Sequence, residues 1–141
     1  MAPAERLGPP DEKVTINVGP VDLGKIDLLV SEGLYASRTD LIREAIRRQL
    51  ERHARVVEEL VTRRELTVGF TYYSRKDFER FREKGQRIRM RIVGMAKLAN
   101  DITPELADAV IEDISVLGSL RASKPVLEMF KARRAGEEAA S

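Results

Sequence analysis

Lys13, Thr15 and Asn17 occupy every second position of the run KVTINV, with Val14, Ile16 and Val18 alternating against them. In an extended strand, successive side chains point to opposite faces, so the polar trio shares one face and the aliphatic trio the other. The polar set comprises an ammonium donor, a hydroxyl that donates, accepts or meets a methyl group, and a carboxamide that can bond adenine bidentately. Such groups discriminate base edges in the DNA major groove, which is wide enough for a two-stranded ribbon. A second set, Ser37, Arg38 and Thr39, opens a helical pattern. The free amides of a helix N-terminus attract phosphate, and Arg38 beside them can pair with the same backbone.

The elements that must position these groups follow in order. Gly19-Pro20 ends the strand, and a first helix is predicted over Val21–Glu32, with Leu23, Ile26, Leu29 and Val30 at helical spacing. Gly33 suits the positive φ that closes a helix. Ser37 is placed to cap a second helix, with Asp40 as the acidic end of a capping box. The seam Leu41, Ile42, Ala45, Ile46, Gln49, Leu50, His53, Val57, Leu60 and Val61 predicts one long helix to about Arg64. One strand and two helices cannot enclose a core; units this small need a staple or association. With no Cys and no plausible metal cluster, association is left. Antiparallel pairing of two Lys13–Val18 strands would turn Val14, Ile16 and Val18 of both chains onto the helices and leave six polar groups facing outward.

The strand KVTINV, the turn Gly33-Leu-Tyr-Ala-Ser37 and the helix Ser37-Arg-Thr-Asp-Leu-Ile-Arg-Glu-Ala-Ile-Arg48 together resemble the ribbon-helix-helix family typified by the CopG, MetJ and Arc repressors. The likeness is greatest to CopG-type sequences and covers about a third of the chain. It implies an intertwined β-α-α homodimer that binds double-stranded DNA. Lys13, Thr15 and Asn17 would read bases, and Ser37, Arg38 and Thr39 would clamp phosphate. The long second helix and everything after residue 66 depart from the minimal family pattern.

The remainder predicts a small α+β domain of order β-α-β-α-β-α. Its strands are expected at Leu66–Tyr73, Arg87–Leu98 and Ser115–Ala122. Its helices are expected from Ser74 to near Gly85, from Thr103-Pro104 to about Asp113, and over Pro125–Ala132. The overall reading is α+β: an arm at 1–11, a ribbon-helix-helix domain at 12–65, an oligomerisation or ligand-sensing domain at 66–134, and a disordered tail at 135–141. Arg87, Arg89 and Arg91 alternate along one strand face, as either a solvated face or an anion or nucleic-acid patch. Phe70, Tyr72, Tyr73, Phe78 and Phe81 concentrate the aromatics, with core packing the default. His53 lies on the apolar seam, and a partly buried, satisfied ring is the simpler role.

Composition sets the outer bounds. Net charge is only +2; residues 1–66 hold 11 Lys/Arg against 12 Asp/Glu, and the rest 14 against 11. A DNA contact must therefore rest on locally placed basic groups rather than a broad positive field. No run of about 18 apolar residues exists to span a membrane, and the N-terminal stretch lacks an apolar signal core. With no Cys, these features point to a cytoplasmic protein. One His and no Cys disfavour a metal sensor. No nucleophile-base set, phosphate loop or metal cluster indicates an enzyme, and no cofactor is implied. The expected function is a regulator, most simply a repressor, reading a palindromic operator as a homodimer, with higher oligomers through the second domain. The alternatives are an antitoxin with a toxin partner and an architectural or partition protein.

Overall fold

The structure is a computed structural model that describes residues 11–140. The chain divides into two compact units, Glu12–Arg63 and the segment from Arg64 onward. Apart from Asp11, the N-terminal arm lies outside the described residues, as does Ser141.

The first unit contains α1 (Pro20–Ser31), α2 (Arg38–Arg52) and α3 (Ala54–Arg63). Pro20 at the first turn of α1 sacrifices an amide that would be unpaired there anyway. Gly33, at φ +80°, closes α1 as the spacing predicted. Its amide bonds Val30 O and the amide of Leu34 bonds Leu29 O, which satisfies two orphan carbonyls in a Schellman arrangement. Ser37 caps α2 by accepting from the Asp40 amide at 3.1 Å. The expected capping box forms one residue upstream, because the Asp40 carboxylate accepts from the amide of Ala36 at 3.2 Å.

Two expectations are corrected in this unit. The long second helix is divided at His53, which carries φ −102° and ψ 11°. The His53 amide bonds Leu50 O, so the last turn tightens to an i→i−3 bond and the helix restarts at Ala54. The Gln49 carboxamide lies 3.1 Å from His53 Nε2 across that break. Lys13–Val18, predicted as a strand, forms no ladder within the chain. A strand is defined by its partner, and this segment has none among the described residues of its own chain.

The second unit runs β1 (Thr67–Tyr73), α4 (Arg75–Glu83), β2 (Ile88–Leu98), α5 (Pro104–Val110), β3 (Ile111–Arg121) and α6 (Lys124–Ala140). The predicted element order is observed here. The strands are parallel in the order β1-β2-β3. Since the order never reverses, right-handed crossovers place both connecting helices on one face. The core agrees: Met90, Ile92, Ala96 and Leu98 of β2 pack with Phe78 of α4, Leu106, Ala107 and Val110 of α5, and Val126 and Phe130 of α6. Tyr73, Phe78 and Phe81 form an aromatic cluster with ring centroids 5.5–6.5 Å apart. Phe70 and Tyr72, grouped with them by sequence proximity, point to the other face and are exposed.

Two boundaries here differ from expectation. The helix predicted to reach Asp113 stops at Val110, and β3 begins at Ile111. Neither Gly nor Pro marks this junction. The freed carbonyls are taken by two arginines: Arg87 donates to Asp108 O and Ile111 O, and Arg133 donates to Ile111 O and Glu112 O. The last helix extends to Ala140 through the segment expected to be disordered, where Ala and Glu favour helix despite Gly136.

Gly69, Gly94 and Gly118 fall opposite one another across all three strands. Each has a positive φ, of +140°, +136° and +124° respectively. A Cβ on Gly94 would sit 2.2 Å from Gly69 O, and one on Gly118 would sit 2.0 Å from Gly94 O. Gly94 and Gly118 are sites of close backbone approach that only glycine tolerates.

Candidate nucleic-acid interface

No residue of Glu12–Arg63 is buried within the single chain. Val14, Ile16 and Val18 are 81, 64 and 38% exposed. Leu28, Leu29, Leu34, Ile46, Leu50, Val56 and Val57 join them at the surface. Hydrophobic burial is the main source of folding free energy, so a unit with no interior is incomplete as drawn from one chain.

Lys13, Thr15 and Asn17 are exposed, alternating with that aliphatic trio ahead of α1. Ser37, Arg38 and Thr39 lie together at the start of α2. The Ser37 hydroxyl is committed to the Asp40 amide, and Leu41 N bonds Ser37 O. The amides of Arg38 and Thr39 belong to the first turn, where no intrahelical acceptor exists, so they suit an outside anion.

Arg38 is engaged in a way its sequence neighbourhood does not reveal. Its Nε and a terminal nitrogen donate to the two carboxylate oxygens of Asp27 at 2.7 and 2.8 Å, a bidentate pair between α1 and the start of α2. The hydrogen bond from Arg38 holds the Asp27 carboxyl below the usual range, against an opposing effect of desolvation. The same bond raises the Arg38 guanidinium further above its ordinary value. Asp27 stands eleven positions earlier on a different helix, so no local spacing pairs the two. Both groups are half exposed, so the pair orients Arg38 more than it stabilises the fold. Further along α2, Arg48 pairs with Glu44 at 2.6 Å, the solvated helix face expected there.

In the second unit the three alternating arginines serve their own chain. Arg87 caps carbonyls after α5, Arg89 meets Glu112 at 3.4 Å, and Arg91 meets Asp113 at 3.0 Å and Arg64 O at 3.2 Å. Among the described residues no group of three His, Cys, Asp or Glu could hold a metal ion. No described helix is long and apolar enough to cross a membrane.

A family model described as the Ribbon-Helix-Helix transcriptional regulator family matches residues 9–127, which spans most of both units. No curated protein and no solved structure matches the chain.

Proposed function

The chain belongs to the ribbon-helix-helix transcriptional regulator family, and from that premise we propose that it is a sequence-specific repressor that binds a palindromic operator as a homodimer. Two Lys13–Val18 segments pair antiparallel, bury Val14, Ile16 and Val18 of both chains against the helices, and enter the major groove. Lys13, Thr15 and Asn17 of each copy contact base edges. The amides at the start of α2, with Ser37, Arg38 and Thr39, hold the flanking phosphates and fix the register of the dimer on the duplex. Arg38 reaches phosphate by leaving Asp27 or by sharing its remaining donors, since a guanidinium carries five N–H groups.

The observation that carries this reading is the unit without an interior, which begins with a segment whose aliphatic residues are exposed and whose polar residues alternate with them. A partner chain of the same sequence supplies the missing strand and the missing core in one step. The packed core of the second unit counts against the toxin-neutralising alternative, in which that part would fold only on its partner.

The test is selection of bound DNA from a random-sequence pool, followed by gel-shift measurement on the selected site. Lys13→Ala with Thr15→Ala should erase the preference for that site over random DNA while the dimer stays folded. If the preference survives the double substitution, the ribbon is not the reading head.

A further inference from the structure

A groove runs between β3 and α6 in the second unit. The strand order β1-β2-β3 gives β3 a hydrogen-bonded neighbour on one side, and no strand lies beyond it among the described residues. From Ile114 to Leu120 this edge strand holds neither a charge nor a proline, the usual devices that keep an edge from pairing. Its side chains on the helix-bearing face are also left partly open. Met90, Ile92 and Ala96 of β2 are buried, whereas Ile114, Val116 and Leu120, their register partners on β3, are only half-buried. Gly118 is exposed and leaves a gap between Val116 and Leu120. Leu127 and Phe130 of α6 line the same groove, which encloses about 370 Å³, a size that suits small apolar groups.

The rim of the groove is cationic. Lys131 and Arg134 of α6 line it, are exposed, and pair with no carboxylate among the described residues. No acidic residue lines the groove. We propose that the β3–α6 groove takes an extended segment of a partner protein as a fourth strand, apolar at alternate positions and carrying carboxylates for Lys131 and Arg134. The backbone of such a segment bonds the outer N–H and C=O groups of β3, and its side chains confer the selectivity. Every second side chain faces the helices. One of these fills the gap at Gly118, and a carboxylate on the same face meets the two cations.

Charge argues for an acidic partner over a second copy of this chain. A two-fold axis between two β3 edges would merge their grooves. Lys131 and Arg134 of both copies would then surround one trough that no carboxylate lines. An acidic segment answers the same cations directly. The other edge of the sheet offers no equivalent, because β1 presents Thr67, Gly69 and Thr71 on the helix-bearing face. A bare edge and an apolar trough coincide at β3.

Selection of short peptides from a random display library on the full-length chain tests this. Recovered peptides should alternate apolar and polar residues and carry more Asp and Glu than the starting pool. Lys131→Glu with Arg134→Glu changes two exposed side chains, so the fold should persist. That variant should bind a recovered peptide at least about tenfold more weakly, and its own selection should favour peptides bearing Lys and Arg. Leu127→Glu, which sets a carboxylate in the trough, should also lose the peptide. Its circular dichroism and its mass in sedimentation should match the parent. An empty selection, a pool without acidic excess, or equal binding to the charge-reversed chain would overturn the proposal. So would a smaller assembly of folded Leu127→Glu, which would put a second copy on β3. Because DNA is not in the assay, each outcome is independent of whether the ribbon reads an operator.

Discussion

Replacing Gly94 by alanine should unfold the second unit, and the reason can be worked from the backbone. Gly94 sits in the central strand at φ +136°. Holding a non-glycine residue there costs about 1–3 kcal/mol in local strain. The added Cβ would lie 2.2 Å from Gly69 O, whereas ordinary contact begins at 3.4 Å. β1 must therefore retreat by about 1.2 Å, the difference of those two distances. A ladder opened that far loses several backbone hydrogen bonds, each worth about 1 kcal/mol net. The combined cost is roughly 4–6 kcal/mol, comparable to the whole stability of a marginal domain. At ~4–8 °C per kcal/mol for a unit of this size, the melting temperature should drop by about 20 °C or more, or its transition should vanish. Gly136→Ala is the control. Gly136 lies in α6 with nothing near its would-be Cβ, so the change should raise stability by about 0.5–1 kcal/mol. Thermal unfolding followed by circular dichroism reads both. If Gly94→Ala melts within a degree or two of the parent, the glycine row is not the constraint described here.

Other consequences follow from the same geometry. Under the proposed pairing, Ile16→Ala removes a side chain that two copies would bury together, at about 2 kcal/mol per copy. Sedimentation should show the dimer constant weakened by roughly a thousandfold; an unchanged constant would place Ile16 outside the interface. Ser74 and Asp77 form a true capping box, with Ser74 Oγ accepting from the Asp77 amide and Asp77 accepting from the Ser74 amide. Ser74→Ala should cost about 1 kcal/mol in thermal unfolding of the second unit. Hydrogen bonds from the Ser74 backbone and hydroxyl hold the Asp77 carboxyl below its ordinary 3.8. Its contribution is therefore complete above that pH and lost as pH falls through the lowered value. The acid-side decline in melting temperature should shrink in Asp77→Asn, and an identical decline would refute the assignment. Asp27→Asn removes the partner that orients Arg38, so binding to any DNA sequence should weaken several-fold; unchanged or tighter binding would mean that Asp27 only withholds Arg38 from the duplex.

Local chemistry explains which features could be read from the sequence. Gly33 and Ser37 act through their own backbone and the next few residues, so the close of α1 and the cap of α2 were legible. β1 and β2 were legible because period-2 alternation is a property of the strand itself. The break at His53 was not, since neither Gly nor Pro stands there and the apolar seam continues through it. The passage from α5 to β3 was hidden likewise, because Val110 and Ile111 suit either structure and the carbonyls are satisfied by Arg87 and Arg133 from elsewhere. The glycine row appears only when strands are set in register, since Gly69, Gly94 and Gly118 are far apart in the chain. Which sheet face the helices take depends on crossover topology, so Phe70 and Tyr72 looked like core beside Tyr73. At the candidate interface, residue types and alternation named Lys13, Thr15 and Asn17, but the Asp27–Arg38 pair depends on how two helices meet.

The claim that most of this rests on is the pairing of two N-terminal segments, and a distance across the dimer measures it directly. With no native cysteine to compete, a spin label on Thr15→Cys reports only the position in question. Paired strands bring facing backbones to about 5 Å, so pulsed electron paramagnetic resonance on the full-length dimer should give one narrow distance below about 20 Å, label arms included. A chain that is dimeric by mass yet shows no short distance between the two copies of residue 15 would contradict the account.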